Sequence, residues 1–143
     1  MGYKLTHVGI AGQQFTNRKV MTIARKDRQI AYALQQREKP TSLSYYSLPK
    51  DYKSASFDYN VLIVRSASHT NYISTIINLA DYENDIAEDI IELMIPYIDF
   101  ECGEIYEMDK EEVPLIYAAG ANRINGFKTH IHATMWKWVK CLP

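Results

Sequence analysis

Two groups of polar side chains in this sequence have the composition of an anion-binding site, and the first follows the apolar stretch 57–64. Apolar residues alternate along that stretch, which predicts a strand, and those of 72–79 recur at helical spacing, which predicts a helix. A helix that begins just after a strand presents unbonded backbone N–H groups and the positive end of its dipole to an anion. The side chains at this turn would add donors: Arg65, Ser68, His69, Thr70 and Asn71. The alternative is a capped helix with no ligand at its start.

The second group lies on the final alternating stretch, residues 127–139. His130, His132, Thr134 and Trp136 are spaced by two residues, so on a strand they share one face at intervals of about 7 Å. The imidazoles and the hydroxyl would bind a phosphate, and the indole would stack on a base. We predict that this face and the turn at 65–71 open into one cavity that holds a small anionic ligand or a nucleotide.

The tripeptide His132-Ala133-Thr134 resembles the H-x-T element of two-histidine phosphoesterases. In that family two such elements place one imidazole as base and one as acid around a phosphodiester. The resemblance implies catalytic roles for His132 and Thr134, with His69 or His130 as partner. The sequence departs from the family because no second H-x-T follows His69 or His7. A metal-independent phosphodiesterase is therefore an alternative to simple binding.

A second resemblance concerns the first strand. The segment YKLTHVGI is similar to the opening strand of vicinal oxygen chelate enzymes, in which a histidine at this point ligates a metal. The resemblance implies a ligand role for His7, but the chain has no matching later repeat or carboxylate. His130 and His132 could also share a metal, provided that a third ligand joins them. No spacing selects that ligand among His7, His69, Cys102 and Cys141, and we predict no metal and no cofactor.

Charge is distributed unevenly although the net charge is only −1. Residues 1–80 have a formal charge of +7, residues 81–112 of −12 and residues 113–143 of +4. The positive part suits phosphate, and the acidic segment 81–112 suits a protein partner. A protein-interaction module that acts through this acidic segment is the second alternative. The two parts could equally neutralise each other within the chain or in a homo-oligomer.

Length and composition bound the class of protein. The 143 residues predict one globular domain, 1–143, and no apolar run approaches the length of a membrane helix. The N-terminus lacks the apolar core of a signal peptide, which predicts a cytoplasmic protein with reduced cysteines. Ile, Lys, Asn and Tyr make up 44 of the 143 residues, a bias typical of AT-rich phage or mobile-element genes. Walker, Rossmann and G-x-S-x-G patterns are absent, which favours a binding accessory protein over an enzyme.

The remaining patterns predict an α+β fold, or a mixed α/β fold, with four or five strands and three or four helices. Residues 3–11 alternate as a first strand, and 17–38 suit either a helix or a hairpin that turns at 26–28. Residues 40–56 read as a loop with a short strand at 43–48. An amphipathic helix is predicted over 82–95, an acidic strand over 104–108 and a helix over 111–120. The alternating stretch 127–139 is predicted as the last strand.

Overall fold

The computed structural model describes residues 3–12, 15, 19–67, 71–83, 86–97, 102–109, 112, 114 and 133–140. The chain divides into two compact units, Met1–Asn78 and Leu79–Pro143. Strands and helices occur in both units, so the predicted α+β class is confirmed. A single cooperative domain over 1–143 stays a prediction.

The first unit is built on a five-stranded antiparallel sheet. Its strands are β1 (His7–Ala11), β2 (Met21–Thr22), β3 (Ser42–Ser47), β4 (Val61–Ser66) and β5 (Tyr72–Ile77), in the order β2-β1-β3-β4-β5. The short strand predicted at 43–48 within a loop corresponds to β3, which is the middle strand of the sheet. It pairs with β1 on one side and with β4 on the other, so the adjacent strands satisfy its backbone groups.

Helix α1 (Ile23–Gln35) connects β2 to β3, so of the two alternatives for 17–38 the structure shows the helix, in a shorter form, and no hairpin at 26–28. The two residues before the helix, Met21 and Thr22, form β2 and do not extend the helix. At the first helical residue, Ile23 N–H donates to the Thr6 carbonyl. The helix ends in a Schellman motif: Glu38 N–H donates to the Ala33 carbonyl and Arg37 N–H to the Leu34 carbonyl. Arg37 holds the left-handed position with φ of 60°, where glycine is usual.

The predicted helix over 72–79 is wrong, and so is the helix start predicted at 68–71. Residues Tyr72–Ile77 form strand β5, which pairs with β4 from Val61↔Ile77 to Ser66↔Tyr72. Paired apolar residues at 72–73 and 76–77 fit both helical and strand spacing, so periodicity alone could not decide. The β-branched side chains of Ile73, Thr75 and Ile76 are stiff in a helix and suit a strand. The neighbouring strand β4 is also shorter at its start than predicted, because 57–60 lie in the preceding turns.

The second unit contains helix α2 (Ile86–Met94) and a hairpin of β6 (Cys102–Met108) and β7 (Ala133–Lys140). Helix, acidic strand and final strand were all predicted from sequence, each with somewhat different ends. Pro96 lies in the 3₁₀ turn Ile95–Tyr97 that ends α2. Most of the predicted helix 111–120, and residues 127–132 of the predicted last strand, lie outside the described residues. The described part contains two α-helices, fewer than the three or four predicted.

The first unit has an apolar core. Val8 and Leu62 are completely buried, and the others are Ile10, Ala33, Tyr46, Leu48, Tyr59, Val61 and Val64. Seven of these nine residues lie in β1, β3, β4 and α1, while Leu48 follows β3 and Tyr59 precedes β4, so the core lies on the sheet. Among the described residues, no helix has the length and apolar content needed to cross a membrane.

Candidate functional site

Two of the anion-binding residues predicted in the first unit, Arg65 and Asn71, lie at one end of the β4–β5 hairpin. Arg65 is exposed near the end of β4, and Asn71 is exposed just before β5. The pairing of Ser66 with Tyr72 brings these two positions to the same end. Ser68, His69 and Thr70 lie outside the described residues. Because a strand begins at Tyr72, the hairpin has no helix dipole to offer an anion.

The predicted residues of the last strand belong to the second unit. Thr134 pairs with Glu107, and Trp136 lies at the shift of register between β6 and β7. His130 and His132, and the side chains of Thr134 and Trp136, are outside what the structure describes. The shared cavity, the two-histidine site and the stacking role of Trp136 therefore stay predictions.

His7 begins β1 and is held by two neighbours. Its Nδ1 lies 2.8 Å from the Thr6 hydroxyl oxygen, and its ring meets the Tyr52 ring edge-on at 5.3 Å. The same hydroxyl lies 3.4 Å from the Tyr46 carbonyl and accepts from Leu48 N–H at 3.3 Å. A hydroxyl has one hydrogen and two lone pairs, so all of these groups are satisfied when Nδ1 carries the proton. We assign that tautomer from the network, and it leaves Nε2 as an acceptor.

A metal at His7 would need further ligands beside it. Within the described ranges, no three His, Cys, Asp or Glu side chains are grouped closely enough to hold an ion. The described residues therefore provide no complete set of metal ligands around His7. The contacts with Thr6 and Tyr52 account for the orientation of its ring.

A cavity of about 150 Å³ lies on the sheet between β1 and β3. The register sets Gly9 opposite Ser44, Ala11 opposite Ser42 and His7 opposite Tyr46. Side chains alternate along a strand, so these residues share one face of the sheet. The cavity is lined by Gly9, Ile10, Ala11, Val20, Ser42, Ser44 and Tyr46.

Gly9 leaves space within this cavity. A β-carbon at this position would lie 3.5 Å from Val20 Cγ2, 3.7 Å from Tyr46 Cε2 and 3.9 Å from Ser44 Cβ. These are ordinary van der Waals distances, so a methyl group would fit without displacing the neighbours. A larger side chain would occupy the space that the glycine leaves open.

Two buried tyrosines belong to the same sheet. Burial raises the pKa of the Tyr46 phenol, while a hydrogen bond with the Ser44 side chain acts in the opposite direction. Burial also raises the pKa of Tyr59, and repulsion from Tyr46 adds to the increase. Both phenols are therefore protonated at neutral pH, and Tyr46 lines the cavity as a neutral group that can donate a hydrogen bond.

The first unit has a net positive formal charge. Residues 1–78 contain eleven Lys or Arg and four Asp or Glu, a formal charge of +7. Residues 79–143 contain five and thirteen, a formal charge of −8. The change of sign that the sequence showed near residue 80 thus coincides with the boundary between the units. A positive field around hydroxyl donors favours anionic ligands.

Two features of the sequence point to this cavity. Hydroxyl-bearing residues recur at every second position in Ser42, Ser44 and Tyr46, and Gly9 interrupts an otherwise apolar strand. Neither signal shows that β1 and β3 are neighbours, since thirty residues separate them. Only the pairing register brings the glycine opposite the serines.

The cavity can bind a small group through hydroxyl donors, and none of its lining residues is a nucleophile paired with a base or a metal ligand. No protein-family model matches this chain, and neither curated proteins nor solved structures gave a significant match.

Proposed function

We propose that this protein binds a small anionic ligand, such as a nucleotide, and does not consume it. The cavity between β1 and β3 receives the anionic group, and the rest of the ligand lies outside it. The observation that carries the proposal is the convergence of Ser42, Ser44 and Tyr46 on space left by Gly9. The positive charge of the first unit supports the choice of an anion.

Hydroxyl donors suit this role because they bind an anion without an opposing charge of their own. Hydrogen bonds to a charged acceptor contribute about 1.5–3 kcal/mol each. The arrangement differs from the predicted helix-start site, which the strand β5 replaces. Arg65 and Asn71 are exposed at the hairpin end and are not among the residues that line the cavity.

A thermal-shift series tests the proposal with inorganic phosphate, a nucleoside monophosphate and a nucleoside triphosphate. A ligand at a hundred times its Kd stabilises the folded protein by about 2.7 kcal/mol, which raises the melting temperature measurably. Calorimetric titration then gives the affinity, and chromatography of the incubated nucleotide shows whether it is intact. We expect binding with no product.

Two variants locate the site. Ser44→Ala removes one donor and should weaken binding at least tenfold, while Gly9→Ala places a methyl group in the cavity. Ser56→Ala, on an exposed loop, is the matched control and should bind as the wild type does. The proposal fails if no anion shifts the wild-type melting temperature, or if both cavity variants keep full affinity. Product formation that His132→Ala abolishes would instead support the two-histidine phosphodiesterase.

A second candidate function, interaction through the acidic segment 81–112, is favoured by α2. This helix buries none of its residues, Leu93 is 72% exposed, and the acidic Glu88, Asp89 and Glu92 of the same helix are exposed as well. An exposed leucine among carboxylates suits a basic protein surface. We infer that the partner is the positive first unit of a second copy, since the two formal charges, +7 and −8, are complementary.

Light scattering after size-exclusion chromatography tests this candidate. We expect a mass above the monomer at 50 mM salt that falls toward the monomer at 500 mM, because salt screens charge pairs. Glu88→Lys with Glu92→Lys should abolish the association, because both substitutions reverse charge within the proposed acidic segment. A monomer at every salt concentration would exclude self-association.

A further inference from the structure

One side of helix α1 combines polar side chains with an exposed aromatic ring, and the exposed Leu34 lies outside it. The residues that point inward are Ile23, Lys26, Ile30 and Ala33, which recur at i, i+3, i+7 and i+10. A separate side of the helix, turned away from these residues, has a second regular series at i, i+3, i+4, i+7 and i+11. We call this series the α1 outer face, and it consists of Arg25, Arg28, Gln29, Tyr32 and Gln36.

Lys26, one of the three cationic residues of α1, does not belong to the outer face. It is 2% exposed and belongs to the inward series, so its aliphatic stem packs like an apolar residue. The cations that remain on the surface are Arg25 and Arg28, and the nearby Asp27 projects away from both by its helical phase.

Tyr32 is central to this face and is 64% exposed. Arg28 lies four residues before it and Gln36 four residues after it, so both are its neighbours on the helix surface. Hydration of an exposed aromatic ring is unfavourable, so burial of the Tyr32 ring against a partner would contribute favourably to the free energy of binding. Its neighbours supply a guanidinium and amides, which donate hydrogen bonds to phosphate and to base edges.

We propose that the α1 outer face binds single-stranded nucleic acid without sequence preference. Arg25 and Arg28 contact phosphates, and Tyr32 stacks on an unpaired base. Charge complementarity supports this occupant, because the unit that carries the face has a formal charge of +7. The inference does not depend on the cavity between β1 and β3.

The chemistry of the face favours a single strand over two other polyanions. A ring on the convex surface of a helix needs the open face of a base, and in a duplex those faces are stacked against each other. An acidic protein segment would pair with the arginines but would gain little from the exposed ring and the amides. Only an unstacked nucleic acid uses all three kinds of side chain.

Fluorescence anisotropy of the full-length protein with a labelled fifteen-nucleotide oligothymidine tests the proposal. Tyr32→Ala should weaken binding between five- and a hundredfold, whereas Tyr32→Phe should retain it, because stacking requires the ring and not the hydroxyl. Heparin is a polyanion without bases, so it distinguishes the contribution of the ring to binding from that of the charges. The affinity for heparin should be the same in the wild type and in Tyr32→Ala.

The arginines are tested by salt dependence. Arg25→Ala and Arg28→Ala should each reduce the slope of log K against log salt concentration by about 0.7. Lys50→Ala and Lys53→Ala remove the same charge from an exposed loop of the same unit, and their slopes should match the wild type. The proposal is overturned if the wild type does not bind the oligonucleotide at 50 mM salt. It is equally overturned if Tyr32→Ala binds as the wild type does, or if a duplex of the same length binds as tightly.

Discussion

The two units of this chain differ in how their described parts use apolar residues. The first unit buries nine apolar side chains in a sheet with one helix, and its formal charge is +7. In the second unit, with a formal charge of −8, helix α2 buries no residue and presents Leu93 to solvent. The first unit therefore derives its stability from its own core, while α2 has apolar surface left for a partner.

The largest effect that tests this contrast comes from truncating one leucine in each unit. Leu62→Ala removes a completely buried side chain from β4 and should reduce the free energy of unfolding by about 2–5 kcal/mol. Leu93→Ala removes an exposed one and should change it by less than about 0.5 kcal/mol. Urea denaturation followed by circular dichroism measures both. A large loss for Leu93→Ala would show that α2 is structurally buried in solution.

The same experiment bears on the single-domain prediction, because Trp136 and Trp138 are the two tryptophans of the chain and both lie in β7. One cooperative domain predicts that tryptophan fluorescence and circular dichroism report the same midpoint. Two independent units predict that Leu62→Ala lowers only the midpoint seen by circular dichroism.

A smaller effect is expected at the turn that leads into β4. Asp58 Oδ2 accepts from Lys53 N–H at 2.8 Å and from Ser54 N–H at 2.7 Å. Asp58→Ala leaves these donors without their acceptor and should cost about 1–2 kcal/mol of the free energy of unfolding. Asp51→Ala, an exposed carboxylate of the same loop, is the control and should have no measurable effect. Equal losses in the two variants would mean that general charge, and not these hydrogen bonds, stabilises the loop.

Alkaline pH should weaken the first unit through its buried phenols. The pKa values of Tyr46 and Tyr59 are raised above the ordinary 10.0 in the folded protein, so folding favours their protonated forms. Their contribution to stability is complete below pH 10 and is lost as pH rises through the folded pKa values, by at most about 1.4 kcal/mol per pH unit for each group. Melting temperatures measured from pH 8 to 11.5 should fall less steeply in Tyr46→Phe and Tyr59→Phe. Equal slopes in wild type and variants would contradict the assignment.

The smallest effect concerns the ends of the two helices. Helix α1 ends with Arg37 in the left-handed conformation, whereas α2 ends in a 3₁₀ turn that contains Pro96. Arg37→Gly should stabilise the protein by about 0.5–1 kcal/mol, because glycine adopts this conformation without steric cost. Arg37→Ala removes the same charge but keeps the cost, so it should show no gain. Thermal denaturation distinguishes the two.

Much of the fold was predictable because local signals agreed with it. Alternation predicted β1 and β4, and the amphipathic pattern predicted α2, while 17–38 was left open between the helix α1 and a hairpin. The prediction failed at 72–77, where apolar pairs fit both helix and strand spacing. In the structure, residues 72–77 form a strand because their backbone groups pair with those along the free edge of β4. The sequence around β5 does not show that this edge is available.

The candidate site was less predictable than the fold. The predicted anion site relied on a helix over 72–79, and the strand Tyr72–Ile77 takes the place of that helix. The binding roles predicted for Arg65, Asn71 and the other residues of this turn stay predictions. The observed cavity depends on Gly9 and Ser44 being opposite each other, although they are thirty-five positions apart. Local patterns carry no information about such a register.

By itself the sequence determined the α+β class, the helix propensity of α1 and α2, and the reversal of charge between the two units, because composition and short periodicities fix these properties locally. The tertiary structure alone decided which strands are neighbours, which face of α1 stays exposed, and where hydroxyl groups meet an open space. These features arise when backbone groups distant in the chain satisfy each other's hydrogen bonds, and that pairing then determines which side chains are brought together.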